Sequence, residues 1–166
     1  MIKSIHLHGV HSPFVFNLIT KGLRQKEKLK NDFPRLGISS TQYELLRKLI
    51  RYFDVKSILV DDENLQKCLQ ETSQNILIQT GFPSEGEKID LIFLKKISEN
   101  IPLVLYLEYM HNDSVLIIND IHSKRNYKIW KQLVLHPQVT VCIDVFTQGY
   151  IFIRKEQKKE LFFVKV

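Results

Sequence analysis

The period of the hydrophobic positions changes twice along this chain. At the start, Ser12-Pro13 opens a helix: the Ser12 hydroxyl can accept from a free first-turn amide, and proline at the first helical position forfeits no hydrogen bond. Phe14, Val15, Leu18 and Ile19 then share one face, and Gly22 is the expected stop. Residues 24–37 are charged, carry Pro34 and Gly37, and predict a loop. A second helix follows, with Thr41 and Glu44 as its capping box and Tyr43, Leu46, Leu49, Ile50 and Phe53 on its buried face.

Past Phe53 the apolar runs shorten to strand length. Residues 57–60, 75–79, 89–94 and 115–118 predict four strands. Between the first two, Asp61 and Asp62 cap a brief helix that turns Leu65, Cys68 and Leu69 inward. Pro102 starts a further helix over 103–110, and Tyr127, Trp130, Leu133 and Val134 mark one that ends near His136-Pro137. The end of the chain alternates strand and turn: a strand at 139–145, a turn at Gln148-Gly149, a strand at 150–153, a charged turn at 155–160 and a strand at 161–166. Strands separated by helices can be parallel, whereas those joined by short loops are antiparallel. The expected fold is therefore three-layer α/β: a mostly parallel twisted sheet, helices on both faces, and an antiparallel C-terminal hairpin. The chain reads as a single domain, with residues 1–53 a helical cap on an α/β core at 54–166.

Composition narrows the setting. With 166 residues, 44% of them hydrophobic, the chain can bury a core without staples. Two cysteines, Cys68 and Cys142, sit in apolar or helical runs and read as free thiols of a reducing compartment. No apolar run approaches the roughly 20 residues that cross a bilayer, and the N-terminus lacks a signal-peptide core; the expected location is the cytoplasm, away from membranes. The net charge of +6 invites an anionic partner. The basic clusters at 21–30 and 124–131 lack the interleaved aromatics of a stacking platform, so nucleic acid is a possible but not a favoured partner. The long C-terminal strands are suited to pairing in a homodimer.

Several residues carry candidate chemistry. Asn119, Asp120 and His122 follow a parallel strand, where open α/β sheets bind ligands, and His122 or Asp120 is the candidate base. His6, His8 and His11 lie close together but match no strong zinc spacing. No nucleophile elbow, P-loop or Cys–His pair at a known spacing occurs.

Three stretches bear a family resemblance. His8-Gly9-Val10-His11-Ser12-Pro13-Phe14 resembles an N-terminal "HSPF" segment. Asn119-Asp120-Ile121-His122-Ser123-Lys124 resembles a "DDIHWSK" turn, and the hairpin from His136 to Gln157 resembles a C-terminal one. All belong to the O-methyltransferase-like branch of the class I S-adenosylmethionine-dependent methyltransferases. The resemblance implies their Rossmann-like fold, S-adenosylmethionine as cofactor, Asp61 at the cofactor turn, and His8, His11, Ser12, Asn119 and Lys95 around the substrate cleft. Two departures fall on the chemistry. No glycine occurs between Gly37 and Gly81, so the cofactor turn is Asp61-Asp62-Glu63-Asn64, whose carboxylates repel the cofactor's own. Lys95-Lys96 stands where metal-dependent members place an acid, so no metal is expected; Lys95 is expected to pair with Asp120 or Asp113 if it points into the cleft.

Three functions follow as expectations. The first is a degenerate methyltransferase-like protein, inactive or weakly active, that keeps a cleft for a small molecule or a protein. The second is an active enzyme with an atypical cofactor site. The third is an anion- or RNA-binding module.

Overall fold

The computed structural model describes residues 12–26, 35–98 and 100–166. Ser12 caps α1 (Pro13–Asn17) by accepting from the Val15 amide at 3.3 Å. The helix does not stop at Gly22. It widens into a π-helical turn, Leu18–Leu23, in which the Arg24 amide reaches back to the Ile19 carbonyl. Gly22 is needed for packing and not for termination: a Cβ there would lie 3.1 Å from the Tyr52 ring. The capping box of α2 (Ser40–Tyr52) is also displaced, to Ser39 and Gln42. Ser39 is preferred over Thr41 because it ends the extended segment, at ψ 158°.

The remaining elements are β1 (Ser57–Val60), α3 (Glu63–Thr72), β2 (Leu77–Gln79), β3 (Ile89–Leu94), α4 (Leu103–Glu108), β4 (Met110–Asn119), α5 (Lys124–Leu135), β5 (Val141–Asp144), β6 (Gln148–Phe152) and β7 (Glu160–Phe163). They form a seven-stranded sheet in the order β2-β1-β3-β4-β6-β5-β7. The first four strands are parallel to their neighbours. β6 is antiparallel to both β4 and β5. β7 joins β5 in parallel, since both edges of β6 are already taken. This is the expected three-layer α/β architecture, with its antiparallel hairpin near the end.

Side chains alternate across the sheet and build two cores. Ile58, Val60, Phe93, Ile117, Ile143 and Tyr150 face α1 to α3. Leu59, Ile92, Leu94, Ile118 and Cys142 face α4 and α5. The hairpin turn lies at 145–147, ahead of the expected Gln148-Gly149, with Phe146 in the left-handed region at φ 68°. Gly149 is instead inside β6, where a Cβ would meet the Trp130 ring at 2.4 Å. No helix among the described residues is long and apolar enough to cross a membrane.

Candidate functional site

Chain order and strand order part company between β1 and β3. The chain leaves β1 for β2 on one side and returns to β3 on the other. In open α/β sheets, ligands bind in the crevice that such a reversal opens at the carboxyl ends of the strands. Here those ends supply Asp61 and Asp62 from β1, Thr80 from β2, Lys95 and Lys96 from β3, and Asn119 and Asp120 from β4.

The two consecutive aspartates do different work. Asp62 is the N-cap of α3, accepting from the Leu65 amide at 2.9 Å, and its other oxygen takes the Lys95 ammonium at 2.6 Å. Burial works against this carboxylate, but the Lys95 bond and the amide hold it below the usual range. Asp61 caps nothing. Its two oxygens accept from the backbone amides of Lys95 at 2.7 Å and Lys96 at 2.8 Å, so it braces the end of β1 to the end of β3. Asp61 itself remains exposed and lines a cavity on the α4 side of the crevice. The surrounding protein pushes its carboxyl up, and the Lys96 and Lys95 amides pull the other way.

Lys95 therefore pairs with Asp62, and neither Asp120 nor Asp113 is its partner. Asp113 is held by Arg154 at 2.6 Å, at the other end of β4, out of reach. The Lys95 side chain is largely buried and runs beneath Gly37, where a Cβ would stand 3.0 Å from Cε and Nζ. On the α2–α3 side the crevice is thus filled by an ion pair under a glycine turn.

Behind β4 lies a polar network. The Asn119 side chain, 1% exposed, accepts from Gln148 at 2.7 Å, and Gln148 accepts from the Tyr150 hydroxyl at 3.0 Å. Asp120, in the left-handed region at φ 50°, accepts from the Gln42 amide group at 2.9 Å. Gln42 thus caps α2 and tethers it to the β4 end, a double role that sequence reading missed. Its position three residues after Ser39 was the available signal. The helix after β4 is capped by Ser123.

The open part of the crevice is on the α4 side: a cavity of about 480 Å³ lined by Asp61, Thr80, Phe82, Lys96, Tyr106 and Arg125 among others. It exists because residues 80–88, between β2 and β3, form neither helix nor strand. Phe82 folds back from that loop, its ring 5.1 Å from Tyr106 and 5.2 Å from Tyr109. Arg125 bridges from α5 to the Ile97 carbonyl at 2.8 Å. Burial, then the Asp61 charge, raise the Tyr106 pKa, so its hydroxyl keeps its proton and stays a donor.

The remaining expected site residues scatter. His122 bonds the Asp144 carboxylate at 2.8 Å at the end of β5, and it does not line this cavity. The two candidate bases thus have different partners, Asp144 for His122 and Gln42 for Asp120. Ser12 donates to Gln157 at 2.9 Å, at the opposite end of the sheet from the crevice. His8 and His11 lie outside the described residues. Among the described residues, no three His, Cys, Asp or Glu side chains converge as a metal-ligand set.

The cofactor that the resemblance implies does not fit the turn after β1. Only Asp61 and Asp62 separate β1 from α3, and the first turn of α3 already has a carboxylate on its Leu65 amide. A ligand carboxylate arriving there would find that amide occupied and Asp62 and Glu63 repelling it.

No family model matches the sequence, and no curated protein does so. Among solved structures, the chain is similar to a protein from Klebsiella pneumoniae described as a "putative O-methyltransferase". The likeness has a TM-score of 0.51 at 15% identity and covers 73% of this chain and 83% of that one. The fold is that of the Rossmann-like methyltransferases, and at this identity the likeness carries the fold alone.

Proposed function

We propose that this chain is a methyltransferase-like protein whose S-adenosylmethionine seat has been lost, leaving transfer activity weak or absent, and that the cavity beside Asp61 binds a different small ligand. The observation that carries this reading is the use of both Asp61 oxygens as a brace on the Lys95 and Lys96 amides, directly ahead of a helix start capped by Asp62. A glycine turn would leave its backbone free for a cofactor, whereas this turn spends its polar groups on the protein itself. The lining supports a ligand with a neutral ring against Phe82 and Tyr106 and polar ends toward Thr80, Lys96 and Asp61.

Calorimetric titration of the folded chain with S-adenosylmethionine and S-adenosylhomocysteine, with and without magnesium, tests this. The expected result is no saturable heat up to about 1 mM ligand. A dissociation constant of about 1 μM, near −8 kcal/mol, overturns the reading in favour of an active enzyme with an atypical cofactor site.

A further inference from the structure

On the same sheet face, toward the opposite edge, a second cavity of about 340 Å³ lies between α5 and β7. It shares no lining residue with the first. Its walls are apolar, from Trp130, Val134, Leu135, Leu161 and Phe163, and its one deep polar corner is His122 with Asp144. The volume falls in the range of small-molecule sites, and a largely apolar wall with one fixed polar group is their usual make-up.

The polar corner has a defined hydrogen-bond sense. Asp144 is 1% exposed, and its Oδ1 already accepts from the Phe146 amide at 2.8 Å. His122 Nε2 lies 2.8 Å from Oδ2 and 3.1 Å from Oδ1. A carboxylate only accepts, so Nε2 carries the proton, and in that tautomer Nδ1 is left as an acceptor. Nδ1 has no partner among the described residues. Tyr127 stacks on the imidazole at 6.0 Å between centroids and Phe146 flanks it at 6.4 Å, which fixes the ring plane. Lys131, its ammonium 5.2 Å from the Tyr127 ring centre, sits at the rim and disfavours a cationic ligand. Asp144 behind the imidazole disfavours an anion at the same point.

We propose that this cavity binds a small neutral phenol, its ring among Trp130, Leu161 and Phe163 and its hydroxyl donating to Nδ1 of His122. The site is independent of the reading proposed for the Asp61 cavity and stands or falls separately from it.

Trp130 is the only tryptophan in the chain, so its indole N–H gives one isolated cross-peak in a proton–nitrogen correlation spectrum. The full chain is titrated with 4-ethylphenol and with its methyl ether, 4-ethylanisole, which has the same ring and no hydroxyl proton. The phenol is expected to move the Trp130 peak saturably, with a dissociation constant of about 1 mM or tighter, and the ether to bind at least about five-fold more weakly. His122→Ala is expected to erase the difference between the two ligands. Because that variant removes a partner of a buried carboxylate and can fail to fold, the comparison on the unaltered chain decides. A Trp130 peak that stays still at about 10 mM phenol, equal affinity for the two ligands, or peak movement that follows protein concentration and not ligand each overturns the proposal. The last outcome assigns the cavity to self-association.

Discussion

At the scale of single residues, Asp61 and Asp62 show how little a shared side chain says about a shared role. Asp62 has extended backbone at φ −141° and ψ 120°, which points its carboxylate at the α3 amides. Asp61, one residue earlier, still belongs to the strand direction and meets the amides that follow β3. Asp61→Ala leaves those amides to water alone and is expected to cost about 1–2 kcal/mol of stability. Asp61→Asn, which keeps one acceptor oxygen, is expected to lose less, and the urea midpoints of the two variants check the order. The capping role of Asp62 was legible in the sequence, because a carboxylate ahead of a helical run is a local signal. The brace was not, because its partners lie more than thirty residues away and are backbone amides.

At the scale of elements, close approach explains the two glycines that turn and stop rules misplaced. Gly22 lets the π-helical turn meet Tyr52, and Gly149 lets β6 slide under Trp130. Both were read as punctuation, since a sequence shows a missing side chain but not the neighbour that needs the space. Gly149→Ala puts a methyl group within the van der Waals radius of a 2%-exposed indole, in a strand buried along its whole length. The expected loss is about 1–3 kcal/mol, from overpacking, visible as a lower thermal midpoint. Pro102, and not periodicity, located the helix that follows it, while short apolar runs located β1 and β3. The full reach of β4, from Met110, was hidden by the polar residues His111, Asn112 and Asp113, which pair at the sheet margin.

At the scale of the whole molecule, the class of fold could be read from alternating strands and helices, but the strand order could not. Neighbours in a parallel sheet are chosen by how connections cross it, and no local pattern records that. The acid response of the molecule is likewise collective. In Asp90 burial acts upward, but the His111 ring and the Lys56 and Ser57 amides hold the carboxyl below its ordinary value, as Lys95 does for Asp62. A depressed folded-state pKa gives stability that is complete above the unfolded value of about 4 and is lost as pH falls through the folded value. Asp61, raised by burial, acts in the other direction and favours the folded state as it protonates. Loss of the Asp62 and Asp90 contributions is expected to lower the urea midpoint between about pH 5 and about pH 2. The double variant Asp62→Asn, Asp90→Asn is expected to start lower at neutral pH and fall less steeply over that window.

The placement of β7 outside β5 has one more implication. The connection from β6 crosses the starting end of β5 to reach that edge, so β7 is an edge strand held in the sheet by β5 alone. Whenever β7 is undocked, β5 offers an open row of amides and carbonyls, able to accept the corresponding strand of a second molecule as readily as its own. Arg24, which reaches from the π-helical turn to the Lys165 carbonyl at 3.1 Å, holds the segment after β7 to the helical layer whichever molecule supplies it.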